Sequence, residues 1–371
     1  MNDNTYRVLS IDGGGMRGLF SVTYLEGLIN LAKRRYNVDL CDFGKEFNLI
    51  VGTSTGSILG GALAAGVSLS DVSSLYTSYG EKIFRKKLPS NKLALLFHQR
   101  AKLNKEGDKA LQTALEAAFG QMTLASLYRD RKIGLVIPAV NFTTHKAWVF
   151  KTPHDPSSNQ RDNEYSLVDA CLASSAAPIY RSLASIKQPD NADTLDVFAD
   201  GGLWANNPVL VALIEALRNT SPDQSIEIYC LGTSPAPTGS VLDPQNPHWG
   251  LKDWHFGGRA IELALDSQAE VCDQMARMLL PNLDRPASII RFPQPLMSGE
   301  QGELLGLDHT SKQSLDLLKK FAAKAVDQTN QLINSDKEDG RHIAKLLGSP
   351  SEVLHHDINQ TNQRGFAHVR L

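Results

Sequence analysis

The sequence of residues 47–65 predicts a buried strand, a sharp turn and a helix in direct succession. The chain is therefore expected to adopt a fold that contains both strands and helices. The apolar run 47–51 predicts a buried strand, which leads directly into GTSTG at residues 52–56 and then into a helix rich in Ala, Leu and Gly. An ordinary loop is the alternative, because Gly and Ser are common turn residues. The small residues Gly52 and Gly56 would let Ser54 hold its hydroxyl clear of a strained backbone, at the positive end of the helix. We therefore predict Ser54 to be a nucleophile.

Short β-rich runs alternate with longer segments of helical periodicity along the chain. This pattern is typical of a mostly parallel sheet with helices on both faces, so the predicted fold class is a three-layer α/β/α architecture. The predicted strands are 6–11, 47–51, 132–140, 148–151, 197–199, 226–231 and 288–292. The predicted helices are 18–34, 55–65, 70–79, 108–119, 167–174, 208–217, 255–279 and 311–333.

The domain organisation is predicted from the connections between these elements. The loops at 154–165, 187–194 and 235–248 are rich in Pro, Asn and Asp, but none has the length or composition of a linker. We therefore expect a single domain over residues 1–371. Its motif-bearing core is about residues 5–210, and residues 211–371 add later strands and a helical C-terminal part.

The composition permits a large buried core and argues against several classes of function. The chain has 371 residues, of which 42% are hydrophobic, and its net charge of −2 does not favour a nucleic-acid partner. Its four cysteines form no CxxC pair, so we expect a reduced, cytoplasmic protein without a cysteine metal site. The N-terminus shows no signal segment, and no apolar stretch approaches about 20 residues. Any membrane contact is therefore expected to be peripheral.

A glycine loop, DGGGMRG at residues 12–18, follows the first predicted strand. It contains the GxGxxG spacing of dinucleotide-binding proteins, so a nucleotide-binding protein is a competing interpretation. An oxyanion hole uses the same residues better, because the backbone N–H groups of Gly13, Gly14 and Gly15 can approach a tetrahedral oxyanion closely. Arg17 would add positive charge beside it. The second strand also ends in the serine turn, for which a dinucleotide-binding protein has no use.

A carboxylate at the end of another strand is the candidate general base. Asp200 follows the apolar run 197–199, and Gly201 and Gly202 behind it allow close approach to another loop. Read alone, Asp-Gly is most often a simple turn. The alternative is a Ser-Asp-His esterase that acts on small esters, in which His309 or His255 would complete a triad. Neither histidine lies in a distinctive motif.

These segments together resemble the patatin-like phospholipases. DGGGMRG at 12–18, GTSTG at 52–56, ASSAAP at 173–178 and DGG at 200–202 match the four sequence blocks of that family in order, within about the first 210 residues. The resemblance implies a patatin-like fold and a Ser54–Asp200 dyad without histidine, with residues 13–15 as the oxyanion loop and Arg17 at its basic position. It also implies phospholipase A-type hydrolysis of acyl lipids, with no metal or cofactor. The third block is expected to pack beside the dyad.

The resemblance also implies the partners. The substrate would be a phospholipid or another acyl lipid at a membrane surface, which favours a cytoplasmic protein with peripheral inner-membrane association. The segment 82–105 has eight Lys or Arg residues and no acid, so it suits an anionic lipid surface or is a solvated basic loop. Similar bacterial proteins include effector phospholipases that nucleotide second messengers activate in anti-phage defence, which adds a small-molecule nucleotide activator to the expectations. The candidates for a regulatory pocket or a homo-oligomer interface are the C-terminal third and Arg259, Arg277, Arg285 and Arg291.

Overall fold

The computed structural model describes residues 4–83, 101–178, 180–233, 245, 247–254, 257–302 and 304–349. Most of the basic segment 82–105, most of the loop 235–248, and His255 lie outside the described residues. The lipid contact predicted for that segment therefore stays a prediction.

A sheet of eight strands forms the centre of the described structure, in the order β5-β6-β3-β2-β1-β7-β8, with β4 paired to β3. The strands are β1 (Thr5–Ile11), β2 (Leu49–Gly52), β3 (Gly134–Asn141), β4 (Lys146–Lys151), β5 (Ala184–Gln188), β6 (Asn191–Asp200), β7 (Ser225–Leu231) and β8 (Ala287–Arg291). The neighbours from β3 through β2, β1 and β7 to β8 run parallel, whereas β4 and β6 are antiparallel to β3. The predicted mostly parallel sheet is confirmed.

Helices cover both faces of the sheet. In chain order they are α1 (Gly18–Tyr36), α2 (Thr55–Ala65), α3 (Leu69–Ser74), α4 (Gly80–Ile83), α5 (Ala101–Phe119), α6 (Leu124–Arg131), α7 (Leu167–Ser174), α8 (Gly202–Ala205), α9 (Val209–Arg218), α10 (Gly258–Leu279), α11 (Gly299–Gly302), α12 (Lys312–Ile333) and α13 (Glu338–Leu346). None of these helices is long and apolar enough to cross a membrane.

Successive strand residues pack into two separate cores, one on each face. In β1, Leu9 packs in a core with side chains of α1, α2, α5 and α12, whereas its neighbour Val8 packs with those of α9 and α10. Ile50 and Leu49 of β2 divide in the same way. Side chains alternate across a strand, so continuous apolar runs are expected where both faces are covered. The three-layer α/β/α architecture is confirmed.

The seven predicted strands are all present, but the predicted loop at 187–194 is wrong. Residues Ala184–Gln188 and Asn191–Asp200 form an antiparallel hairpin at the edge of the sheet. Only Ile186 of β5 is buried, so the strand lacks the apolar alternation by which edge strands are predicted. The helices α6 and α13 were also missed. Thr123 caps the start of α6: its hydroxyl accepts from the amide of Ser126, and the Ser126 hydroxyl accepts from the amide of Thr123.

Candidate active site

Ser54 occupies the turn between β2 and α2 in a strained backbone conformation, with φ 55° and ψ −123°. A positive φ is costly for any residue with a side chain, and such strain is often found at functional sites. A Cβ on Gly52 would lie 2.2 Å from the carbonyl oxygen of Gly56, and a Cβ on Gly56 would lie 2.5 Å from that of Ile11. Both positions therefore require glycine if the turn is to be this tight.

Asp200 ends β6 and points its carboxylate at the serine. Ser54 Oγ donates a hydrogen bond to Asp200 Oδ2 at 2.7 Å, and the amide of Gly202 donates to Oδ1 at 2.6 Å. A Cβ on Gly201 would lie 2.1 Å from the carbonyl oxygen of Pro138 in β3, so the position after Asp200 requires glycine. The structure thus brings together the two residues that the sequence selected, and both oxygens of the carboxylate are occupied.

Burial raises the pKa of Asp200 to about 6, while the Gly202 amide, the Ser54 hydroxyl and the Arg181 guanidinium each lower it. Burial has the largest effect because it disfavours the charged form. A carboxylate with a pKa near 6 is still mostly ionised at neutral pH, and it accepts a proton more readily than an ordinary aspartate does.

Ser174, in the third sequence block, connects the serine turn to the end of β6. Its Oγ accepts a hydrogen bond from the amide of Ser54 at 2.8 Å and donates one to the carbonyl of Pro138 at 2.6 Å. Its carbonyl accepts from the amide of Gly201 at 3.1 Å. The sequence placed this block near Ser54 and Asp200 but did not show that one residue would contact both segments.

No hydrogen bond joins His309 to Ser54 or Asp200 in the part of the chain that the structure describes. The ring Nδ1 of His309 instead accepts from the backbone amide of Gly306, at 3.2 Å. The geometry therefore pairs Ser54 with a carboxylate rather than with an imidazole.

The glycine loop has its carbonyl groups fixed on one side. Thr233 Oγ1 donates to the carbonyl of Gly13 at 2.5 Å, and Arg17 donates to the carbonyl of Gly14 through its amide at 3.1 Å and its Nε at 3.4 Å. In a trans peptide the carbonyl and the next N–H point in opposite directions. The amides of Gly14 and Gly15 therefore point away from Thr233 and Arg17, and neither has an acceptor among the described residues.

The residues predicted for the oxyanion loop thus differ in whether they have an N–H group free to bind an oxyanion. The N–H of Gly13 donates to the carbonyl of Asn206 at 2.8 Å, so it is already used. Arg17 contacts the Gly14 carbonyl and does not line the open cavity above Ser54 and Asp200. Gly14 and Gly15 line that cavity together with Ser54. The two amides with free N–H groups are therefore the ones beside the serine.

A partly buried ion pair fixes the start of the glycine loop. Arg291, at the end of β8, places Nη1 3.0 Å from Asp12 Oδ2 and Nη2 2.9 Å from Asp273 on α10. Arg277 also pairs with Asp273, at 2.8 Å. Of the other candidate regulatory arginines, Arg285 bonds the hydroxyl of Thr220. Arg259 lies over the ring of Trp249. All four arginines thus have partners within the chain, and their regulatory role stays a prediction.

An open cavity lies above Ser54 and Asp200. Together with the solvent at its mouth it encloses about 960 Å³. Most of its lining is apolar, and helices from both faces of the sheet contribute: Ile58, Leu75, Tyr76, Ile83 and Leu111 on one side, and Leu203, Ile261 and Leu265 on the other. Apolar clefts with a few convergent polar groups are the usual form of a ligand site, and the lining suits an acyl chain.

The fold and the site define a class of protein, in which a serine on a strand–turn–helix element faces a buried carboxylate in an α/β sheet, as in serine hydrolases. Residues 9–213 match the family model described as patatin-like phospholipase, and the chain belongs to that family. It is therefore a lipid acyl hydrolase, and the predicted family and enzyme class are confirmed.

Several bacterial relatives match most of the chain. A cGAMP-activated phospholipase of Vibrio cholerae is 31% identical, over 85% of this chain and 88% of its own length. One of Pseudomonas aeruginosa is 33% identical, over 93% and 90%. A cUMP-AMP-activated phospholipase of Escherichia coli is 24% identical, over 80% and 85%.

Replacing Thr233 with valine tests whether the orientation of the glycine loop matters. The variant keeps the shape of the side chain but loses the donor to the Gly13 carbonyl, so the peptide can rotate. We expect the kcat for a soluble ester to fall roughly tenfold, the worth of one buried hydrogen bond. Thr233→Ser keeps the hydroxyl and is the matched control. Equal rates for the two variants, both with unchanged thermal unfolding, would contradict this role.

Proposed function

We propose that Ser54 and Asp200 form a catalytic dyad that hydrolyses acyl esters of membrane phospholipids. The hydrogen bond of 2.7 Å from Ser54 Oγ to Asp200 Oδ2 carries this proposal. Asp200 removes the proton of Ser54 as Oγ attacks the ester carbonyl, and then returns it to the leaving alcohol. Water, activated by the same carboxylate, releases the fatty acid from the acyl enzyme.

The free amides of Gly14 and Gly15 are the proposed oxyanion hole. A tetrahedral intermediate places negative charge on the former carbonyl oxygen, and preorganised N–H donors beside the nucleophile stabilise that charge. Gly13 serves as the anchor of the loop through Asn206, and Arg17 as the residue that orients the Gly14 peptide. Gly52, Gly56, Gly201 and Gly202 have the proposed role of keeping the two strand ends close.

A nucleotide activator and a membrane surface complete the proposal. Three relatives at 31–33% identity are named as cGAMP-activated phospholipases, and a fourth as cUMP-AMP-activated, which supports a cyclic nucleotide that switches this chain on. A phospholipid substrate favours action at the cytoplasmic face of the inner membrane. A role in anti-phage defence and assembly into a homo-oligomer stay predictions of the sequence.

Ser54→Ala and Asp200→Asn should each abolish phospholipid hydrolysis without unfolding the protein. Loss of the nucleophile removes the acyl enzyme, and loss of the base costs about 10²–10⁴-fold. Fatty-acid release from mixed micelles measures both, with and without cyclic nucleotides, and thermal unfolding reports the fold. His309→Ala is the control and should retain activity. Activity that survives in Asp200→Asn and disappears in His309→Ala would establish the triad instead.

The hydrolysis of a soluble ester should fall as the pH drops through about 6. The base must be ionised to act, and burial raises the pKa of Asp200 to about 6, so protonation removes the active form below that pH. We expect kcat/KM to decrease tenfold for each further pH unit, while circular dichroism stays constant. A rate that is unchanged down to pH 4.5 would contradict an Asp200 base.

A cyclic dinucleotide should stimulate phospholipid hydrolysis by this chain at least tenfold. The measurement compares cGAMP and cUMP-AMP with their linear forms, using wild type and Ser54→Ala. Ser54→Ala should stay inactive with every nucleotide, which would show that the stimulated hydrolysis in wild type occurs at Ser54. Full activity without nucleotide, unchanged by each addition, would show that the chain needs no such activator.

A further inference from the structure

Arg181 places a buried cation in the wall of the otherwise apolar cavity. It lies in the turn after α7, where its amide donates to the carbonyl of Ala177 at 2.9 Å. Its side chain is only 8% exposed, yet it is among the residues that line the cavity with Ser54 and Asp200. The sequence did not single out this residue, because one arginine in a turn has no pattern around it.

Most of the hydrogen-bonding capacity of Arg181 is unused. A guanidinium has five N–H donors in a planar fork. Nη2 donates to Asp108 Oδ1 on α5 at 2.8 Å, and no other side-chain N–H of Arg181 has an acceptor among the described residues. The unused donors are not among the fully buried polar atoms, so they keep contact with solvent beside the cavity, and an anion that replaced this solvent would gain charge-assisted hydrogen bonds. The position is therefore suited to an anionic group that enters the cavity.

The other charges around the cavity do not fill this role. Asp108 keeps 27% of its side chain exposed and occupies one edge of the guanidinium, which leaves the remaining edge for a second anion. Asp200 attracts the Arg181 guanidinium electrostatically, but its two oxygens accept hydrogen bonds from Ser54 and the Gly202 amide rather than from Arg181. Arg17 is the other cation nearby, but it does not line the cavity, and its Nε donates to the Gly14 carbonyl.

We propose that Arg181 binds the phosphodiester of a phospholipid while the acyl ester of the same molecule lies at Ser54. This inference rests on the proposed function and assigns the residue that recognises the phosphate of the phospholipid substrate. An arginine suits this task because its planar donors match two phosphate oxygens. Neutral acylglycerols fit the same apolar walls but give the unused donors of the guanidinium no anion.

The test compares Arg181→Gln with Asp108→Asn on two lipids and one soluble ester. The lipids are phosphatidylglycerol and diacylglycerol with identical acyl chains in mixed micelles, and the soluble ester is p-nitrophenyl butyrate. Arg181→Gln should lower kcat/KM for the phospholipid roughly 10- to 100-fold, the range for hydrogen bonds to a charged group. It should change the rates for the two uncharged substrates far less. Asp108→Asn breaks the same ion pair but keeps the cation, so it should retain phospholipid hydrolysis.

Three results would overturn the assignment. Equal losses on all three substrates in both variants would mean that the Arg181–Asp108 pair only holds the fold. If Arg181→Gln did no more than shift the acid limb of the pH profile to higher pH, Arg181 would act only by lowering the pKa of Asp200. Stimulation of butyrate hydrolysis by inorganic phosphate, seen in wild type and lost in Arg181→Gln, would identify a free anion as the ligand; we expect none.

Failure of the proposed dyad would look different from failure of this inference. If Ser54 were not the nucleophile, Ser54→Ala would still cleave every substrate, whatever Arg181 does. If only the headgroup assignment were wrong, Ser54→Ala would be inactive and Arg181→Gln would treat phosphatidylglycerol and diacylglycerol alike.

Discussion

The hydrogen bond between Ser54 and Asp200 joins two residues that are 146 positions apart in the chain, and the sheet makes it possible. Strand β3 lies between them: its residue Val136 pairs with Val51, just before the serine turn, and its residue Ala139 pairs with Asp200. The distance between hydroxyl and carboxylate is thus set by the register of two strand pairs. A slip of one residue would turn the side chain of Asp200 to the opposite face of the sheet.

Burial then supports the chemistry that we propose for this pair. The same packing that places Asp200 against β3 removes water from its carboxylate, and this desolvation raises its pKa toward the working range of a general base. The strained backbone of Ser54 is stabilised by contacts of the surrounding elements, chiefly the glycines that allow close approach and the Ser174 hydroxyl that accepts from its amide. Fold and the proposed reactivity therefore share contacts, since Ser174 bonds both the amide of Ser54 and the amide of Gly201 beside Asp200.

The parts of the site that sequence alone predicted are those with a local signature. Ser54 and its glycines belong to one short turn, so residue order was enough to select them. Asp200 follows an apolar run, and its choice over a histidine rested on the resemblance to the patatin-like phospholipases. The contacts that sequence missed join residues far apart in the chain: Thr233 holds the Gly13 carbonyl across 220 positions, and Arg291 pairs with Asp12 across 279. Such partners are ordinary residues until the fold brings them together. The edge hairpin was missed for a different reason, because only one apolar side chain of β5 is buried.

The cavity combines three kinds of group that fit different parts of one lipid molecule. The apolar walls contributed by helices on both faces of the sheet suit the acyl chain. Ser54 with the free amides of the glycine loop suits the ester. Arg181 is the one cation among the described lining residues, and its unused donors suit an anionic headgroup. A substrate with all three features gives the unused donors of Arg181 an acceptor, whereas a simple ester leaves Asp108 as the hydrogen-bond partner of the guanidinium. The apolar walls accept the acyl chain of a neutral ester as readily as that of a phospholipid, so under our proposal any discrimination between the two comes from the arginine.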